Sequence, residues 1–377
     1  GGMLTVGADL QVAQQTGPAT LAIAGLDPST AVLCYGFKFT VGGCRLLSTS
    51  SSALTMGPQT AFPSLVGYLA VASLDNVTAI ACYNDASNPN GKCNLLSVVG
   101  TSVSAGTGLV VNAGATAFVS LAALDAGRVV MCYEDVAASN VGRCNVVRLA
   151  SGGALAKGTD FNIEGSAVRS TAVAAIGPNN AVVCYFRIIA ATCKLLVSGG
   201  PSRDELSQGS ADLFIDSTGT KVSVAPMRRL HLDDAPIGVA AQEATAVVCY
   251  RKDSSGFGIC NSMSANLGVG TLSKGTAVTV SGTNTTDPST ARVGVATAVV
   301  CYVDLSASSS GKCKVLDHTI TTTSTTTTQT ATTTSSSTTT TSMTGTNTTT
   351  TTTTRTTTAS PARPPTVGVS NIRFVDE

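Results

Sequence analysis

Apolar positions in this chain come in short continuous blocks that lack the three-to-four-residue spacing of an amphipathic helix. Leu21-Ala22-Ile23-Ala24-Gly25-Leu26, Leu69-Ala70-Val71-Ala72 and Thr171-Ala172-Val173-Ala174-Ala175-Ile176 do not alternate with polar residues. Strands covered on both faces read this way. A second block, Ala-Val-Val-Cys-Tyr in its commonest form, ends in the same dipeptide six times, at Cys34, Cys82, Cys132, Cys184, Cys249 and Cys301. These cysteines are 48, 50, 52, 65 and 52 residues apart. A unit near 50 residues has the size of a four-stranded propeller blade, whereas a parallel β-helix repeats about every 20–30 residues.

Strands are expected at 4–12, 20–26, 30–35 and 44–48 in the first repeat, with Asp27-Pro28-Ser29 as a turn, and at 109–112, 116–124, 128–133 and 144–149 in the third. The expected fold is all-β: a six-bladed β-propeller of four-stranded repeats over residues 1–317. Packing each blade between two neighbours would cover its inner strands twice, and their small side chains would let the blades crowd together near the axis.

Each Cys-Tyr ends one strand, and a second Cys opens the next after a short loop. The pairs are Cys34–Cys44, Cys82–Cys93, Cys132–Cys144, Cys184–Cys193, Cys249–Cys260 and Cys301–Cys313, which use all 12 cysteines. Cross-strand neighbours need little closing to reach disulfide distance, and closing so short a loop is worth about 2–3 kcal/mol. Zinc would want four ligands, and these pairs have no nearby His, so no metal and no cofactor is expected. Even number and fixed spacing point to an oxidising compartment.

An Asp lies just beyond the dipeptide in four copies (Asp85, Asp135, Asp253, Asp304). It reads as an Asx-type turn closure; a calcium loop would carry more acid. Tyr35, Tyr83, Tyr133, Tyr185, Tyr250 and Tyr302 read as packing residues, or, if they point outward, as a ligand-binding aromatic in each blade. The long fourth interval holds Arg203-Asp204-Glu205 and Met227-Arg228-Arg229-Leu230-His231-Leu232-Asp233-Asp234, either a solvated loop or a contact patch.

Charged residues make up 12% of the chain, and the net charge is +1. This gives no electrostatic footing for nucleic acid or an anionic membrane. No run of 18 apolar residues occurs, so membrane insertion is not expected. The start, Gly1-Gly2-Met3, reads as a processed product or a fragment.

After Cys313 the composition breaks. About seven in ten of residues 319–358 are Thr. Residues 318–365 read as a stalk that cannot fold alone and is O-glycosylated, with Thr321, Thr325, Thr338, Thr350 and Thr356 as acceptors. Asn76, Asn284 and Asn347 are N-glycosylation acceptors. Residues 366–377 return to a strand pattern after a Pro-rich hinge. Val367, Val369, Ile372 and Phe374 would either open a further domain or add to a sheet edge of another subunit. A contact of the second kind that does not close gives a filament.

Candidate chemistry is sparse. His231 and His318 stand 87 residues apart, neither in a motif for a catalytic base, and the chain has no Trp and no sialidase-type Asp box. Enzymatic activity is not expected. Carbohydrate-binding propellers present aromatic and polar groups at interblade clefts, and an aromatic content of 4% weighs against that use.

The repeat Val-Cys-Tyr-x-Asp…Gly-x-Cys, joined to a Thr/Ser stalk, resembles cell-surface and flagellar-hair (mastigoneme-like) glycoproteins of protists and algae. The resemblance spans residues 1–317 as repeats and 318–365 as stalk. It implies an extracellular protein, secreted or part of a flagellar appendage, that self-associates into a glycan-coated filament and carries no catalytic residue. The alternative expectation is a cell-surface lectin or adhesin on a mucin-like stalk.

Overall fold

The computed structural model describes residues 19–317, except 38–39, 51–52, 188–189, 210–211, 229–242, 293–296 and 307–309. The stalk, the terminal strand, His231, His318 and the strand expected at 4–12 lie outside the described residues.

The chain forms a six-bladed β-propeller. Each blade is an antiparallel meander whose innermost strand is followed by the Cys-Tyr strand and then by the strand bearing the second Cys. The innermost strands are Ala19–Gly25, Thr60–Ser73, Thr116–Asp125, Arg169–Gly177, Gly219–Arg228 and Thr285–Arg292. The second strands are Thr30–Phe37, Thr78–Asp85, Arg128–Asp135, Asn180–Arg187, Glu243–Lys252 and Thr297–Asp304. In five blades an outer segment pairs with the third strand and lies opposite the second Cys at Thr60, Leu109, Phe161, Leu213 and Val278; the segment at Thr60 runs on without a break into the innermost strand of blade two.

Hairpin register places the two cysteines of each blade opposite one another, and all six pairs are bonded with Cα atoms 4.0–4.1 Å apart. The alternation of a strand then sorts the motif between two faces. Cys132 and Cys144 pack with Val173, Val183 and Tyr185 of the following blade. Tyr133 packs with Cys82 and Cys93 of the preceding one. The same division builds the other three described interblade cores, so Cys-Tyr is one hydrophobic contact for each neighbour.

Two expectations shift. The run 109–112 pairs with the strand of Cys93 and completes the second blade rather than opening the third. A periodic sequence has no marked beginning, and the hairpin order alone assigns the outer strand to the blade before it. Burial on both faces is most complete in the second strand, where every residue of Arg128–Asp135 is buried. The innermost strands carry small residues because one face looks onto the axis. All six contribute to the lining of an axial cavity of about 240 Å³, and Ile23 is 56% exposed.

The extra length of the fourth interval falls between Arg228 and Glu243. Arg203 and Asp204 sit in a separate turn that ties blades three and four together. Arg128, 7% exposed, donates to the Arg203 carbonyl at 2.8 Å, the Pro178 carbonyl at 2.9 Å and Asp125 Oδ2 at 2.7 Å, while Arg148 pairs with Asp204 at 3.0 Å.

Candidate axial-mouth site

At the end of each innermost strand nearest the Cys-Cys hairpin loop, the ladder carries one extra residue in five blades. Gly67 pairs with Asn84 and Ala70 with Cys82; the same two-against-three step recurs at Ala117/Ser120, Arg169/Ala172, Thr220/Ser223 and Thr286/Ser289. It is a β-bulge at one fixed register, set against the tyrosine of Cys-Tyr. The bulged residue is left-handed each time: Tyr68 (φ 45°), Phe118 (48°), Ser170 (55°), Lys221 (52°) and Asp287 (50°). None is Gly, and a bulky residue there is strained by about 1–3 kcal/mol. Five such residues stand at one register around the mouth of the axis.

Neighbouring bulges touch. The rings of Tyr68 and Phe118 lie 5.1 Å apart at 50°. The Thr171 hydroxyl donates to the Phe118 carbonyl. Val222 N donates to Ser170 Oγ at 3.1 Å, and Lys221 pairs with Asp287 at 3.2 Å. One arc of the mouth is therefore aromatic and the opposite arc charged. Just behind the bulges, Ser120 and Ser223 accept from the amides of Val173 and Thr290, each at 2.9 Å, and hold successive blades in register.

The residue between Tyr and Asp of the repeat joins this ring. It points to the same side as Cys, toward the following blade, and pairs with the residue that precedes the bulge. It is Gly36, Asn84, Glu134, Phe186, Arg251 and Val303 in turn. In blade one there is no bulge, and a β-carbon on Gly36 would meet the Val66 carbonyl at 2.6 Å. Between blades three and five the mouth opens into a cleft of about 330 Å³, lined by Phe118, Arg169, Ser170, Phe186, Thr220, Lys221, Arg251 and Asp253. Asp253 accepts from Thr220 Oγ1 at 2.7 Å and pairs with Arg251 at 3.6 Å. Glu134, 5% exposed, has a carboxyl raised by burial and partly offset by the Arg169 charge.

The other sequence candidates are structural. Asp85 accepts from the amides of Ser87 and Asn88, Asp135 from Ala138, and Asp304 from Ser306, each closing its hairpin loop. Each also binds the base preceding the second Cys: Lys92, Arg143 at 2.9 Å and Lys312 at 2.6 Å. The six Cys-Tyr tyrosines are all buried, none more than 6% exposed, so they are packing residues and offer no outward face. Tyr83 donates to Asn94 Oδ1 at 2.8 Å and Tyr250 to Asp216 at 3.4 Å. Burial holds the hydroxyls of Tyr133, Tyr185 and Tyr250 well above the usual phenol range.

Asn76 and Asn284 are exposed in the connections between strands. Asn347, the five stalk threonines, Val367, Val369, Ile372 and Phe374 lie outside the described residues. Among the described residues no group of three or more His, Cys, Asp or Glu could hold a metal, and no helix is long and apolar enough to cross a membrane.

The mouth residues escaped sequence reasoning because they occupy the variable place in a repeat whose constant places are core. The signal was the x of Cys-Tyr-x-Asp and the residue 16 positions before it on the innermost strand, or 30 in blade five, both of which change chemistry from blade to blade.

No protein-family model matches the sequence, and no curated protein sequence matches it. Solved structures do match. AofleA from Arthrobotrys oligospora aligns with a TM-score of 0.50 at 8% identity, over 80% of this chain and 84% of its own. A sialidase, Hz136, of Hadza microbial origin aligns at 0.51 and 8% identity, over 78% of this chain and 65% of the sialidase. The Aleuria aurantia lectin, solved with Fucα1-6GlcNAc, aligns at 0.49 and 12% identity, over 79% and 91%. At these identities the likeness is one of fold: this chain shares the β-propeller architecture.

Proposed function

We propose that the protein is a carbohydrate-binding propeller whose ligand sits at the axial mouth between blades three and five. The observation that carries this reading is the strained ring of bulges, which sets an aromatic pair, Tyr68 and Phe118, across the mouth from Lys221 and Asp287, with Ser170 between them. Strained backbone that persists at one level is characteristic of ligand sites. Sugars need this mixture, an apolar surface for C–H faces and fixed donors and acceptors for hydroxyls. Phe118, Phe186, Thr220, Arg251 and Asp253 supply both within one cleft. Six disulfides fit a secreted or cell-surface protein. Filament assembly rests on residues 318–377, outside the described residues, so the described surface supports binding more directly than polymerisation.

The test is a glycan array probed with the full chain and with Phe118→Ala. The expected result is binding to a restricted set of glycans that Phe118→Ala weakens by about tenfold, equivalent to ~1.4 kcal/mol. No glycan bound, or binding indifferent to Phe118, overturns the proposal.

A further inference from the structure

We infer that the glycan taken by this mouth carries a carboxylate, and that Arg169 receives it. The inference rests on the carbohydrate-binding reading above. Three cations line the cleft, Arg169, Lys221 and Arg251, against one carboxylate in the lining, Asp253. Lys221 has Asp287 at 3.2 Å and Arg251 has Asp253 at 3.6 Å. Arg169 has no carboxylate within 4.0 Å among the described residues and is exposed. Its electrostatic neighbour, Glu134, is buried with Oε2 unpartnered, so that carboxylate stands behind the cleft wall rather than in the cleft.

Arg251 adds positive charge to the same cleft, its guanidinium being held within the protein. Its Nε is buried and without a hydrogen-bond partner, although one Nη reaches Asp253 and the other Asn284. Strand register fixes where both arginines stand. Arg169 directly precedes the Ser170 bulge and is in register with Phe186; Arg251 is in register with Thr220, directly before the Lys221 bulge. One guanidinium therefore comes from the innermost strand of blade four and the other from the second strand of blade five. Guanidinium forks suit the two oxygens of a carboxylate, and the apolar faces of Phe118 and Phe186 sit in the same lining. A neutral sugar would give the Arg169 charge no partner beyond the buried Glu134.

The experiment is calorimetric titration of the full chain with two matched pairs of probes: oligogalacturonate against neutral galacto-oligosaccharide, and sialyllactose against lactose. The expected result is that the acidic member of at least one pair binds ten times tighter or more, on the scale of a charge-assisted hydrogen bond. Arg169→Ala should weaken the acidic probe about tenfold more than the neutral one, while Arg169→Lys restores part of the gap. Arg169 is exposed, and a melting curve checks that both variants fold. Equal affinity within both pairs, or a loss in Arg169→Ala that falls equally on acidic and neutral probes, overturns the carboxylate inference and leaves carbohydrate binding standing. Failure of all four probes, together with an empty glycan array, overturns both.

Discussion

Asp85 and Lys92 form an ion pair across the hairpin that the Cys82–Cys93 bridge closes, with the carboxylate wholly buried and the lysine side chain partly buried. The same acid-to-base link recurs at Asp135–Arg143 and Asp304–Lys312. Burial alone would raise the Asp85 carboxyl, but the Lys92 hydrogen bond and the Ser87 and Asn88 amides outweigh it, so the group lies below its ordinary value. A carboxyl depressed in the fold contributes stability above its unfolded value, near 3.9, and loses it as pH falls through the folded one. Asp85→Asn is expected to cost about 1–3 kcal/mol at neutral pH. The cost should shrink as pH falls below 4. Urea midpoints of both proteins from pH 3 to 7 measure it, and parallel curves would refute the assignment.

Glu134 titrates in the opposite sense. Burial raises its carboxyl, with Arg169 partly opposing. A carboxyl raised in the fold contributes most when protonated, below its unfolded value near 4.3, and the contribution falls away as pH rises toward the folded one. Glu134→Gln keeps the shape and removes the charge. The variant is expected to melt higher than the parent at pH 7, by roughly 1–3 °C, and to converge with it near pH 4. Scanning calorimetry at the two pH values decides the matter.

The architecture was legible in the chain because its constant residues are the ones that build it. Cys-Tyr at intervals near 50 residues records one contact for each neighbouring blade, and the paired cysteines record hairpin register. Phase was harder to read: Leu109–Asn112 follows the repeat period equally well as the last strand of one blade or the first of the next. The mouth was least legible. Phe118, Ser170 and Lys221 share no chemistry, and nothing in their local sequence announces a left-handed bulge, since none is Gly. Tertiary packing around the axis imposes that conformation. The Lys92 and Arg143 partners of the loop aspartates were visible as Gly-x-Cys, but their role depends on a hairpin register that only the paired strands define.

Lys221 tests whether the bulge is strained. With φ at 52° it sits where an L side chain is disfavoured. Lys221→Ala and Lys221→Gly both delete the exposed pair with Asp287, worth little by itself. They differ only in the β-carbon. In an ordinary strand or helix Gly is the less stable of the two, by about 0.5–1 kcal/mol. At this position the order is expected to reverse, with Gly the more stable by about 1 kcal/mol. Both variants should lose glycan affinity alike. Denaturant unfolding of the pair settles the order, and a glycine variant less stable than the alanine one would mean that the bulge is unstrained.

The six disulfides differ in access. Cys44, Cys93, Cys144, Cys193 and Cys260 are at most 3% exposed beneath an outer strand, whereas Cys313 is exposed. Its strand, Ser310–Asp317, pairs on one side with Thr297–Asp304 and among the described residues has no strand on the other. Exchange requires a thiolate to reach a sulfur, so access sets the order of attack when the bonds are otherwise alike. Limited dithiothreitol under native conditions, followed by alkylation and peptide mapping, should label Cys301 and Cys313 first, well before the other ten cysteines. Loss of that one bridge should cost about 2–3 kcal/mol by chain entropy, and the loss should be confined to blade six, leaving the cleft between blades three and five able to bind. Simultaneous labelling of all six pairs would mean that reduction waits on global unfolding and that blade six is no more open than its neighbours.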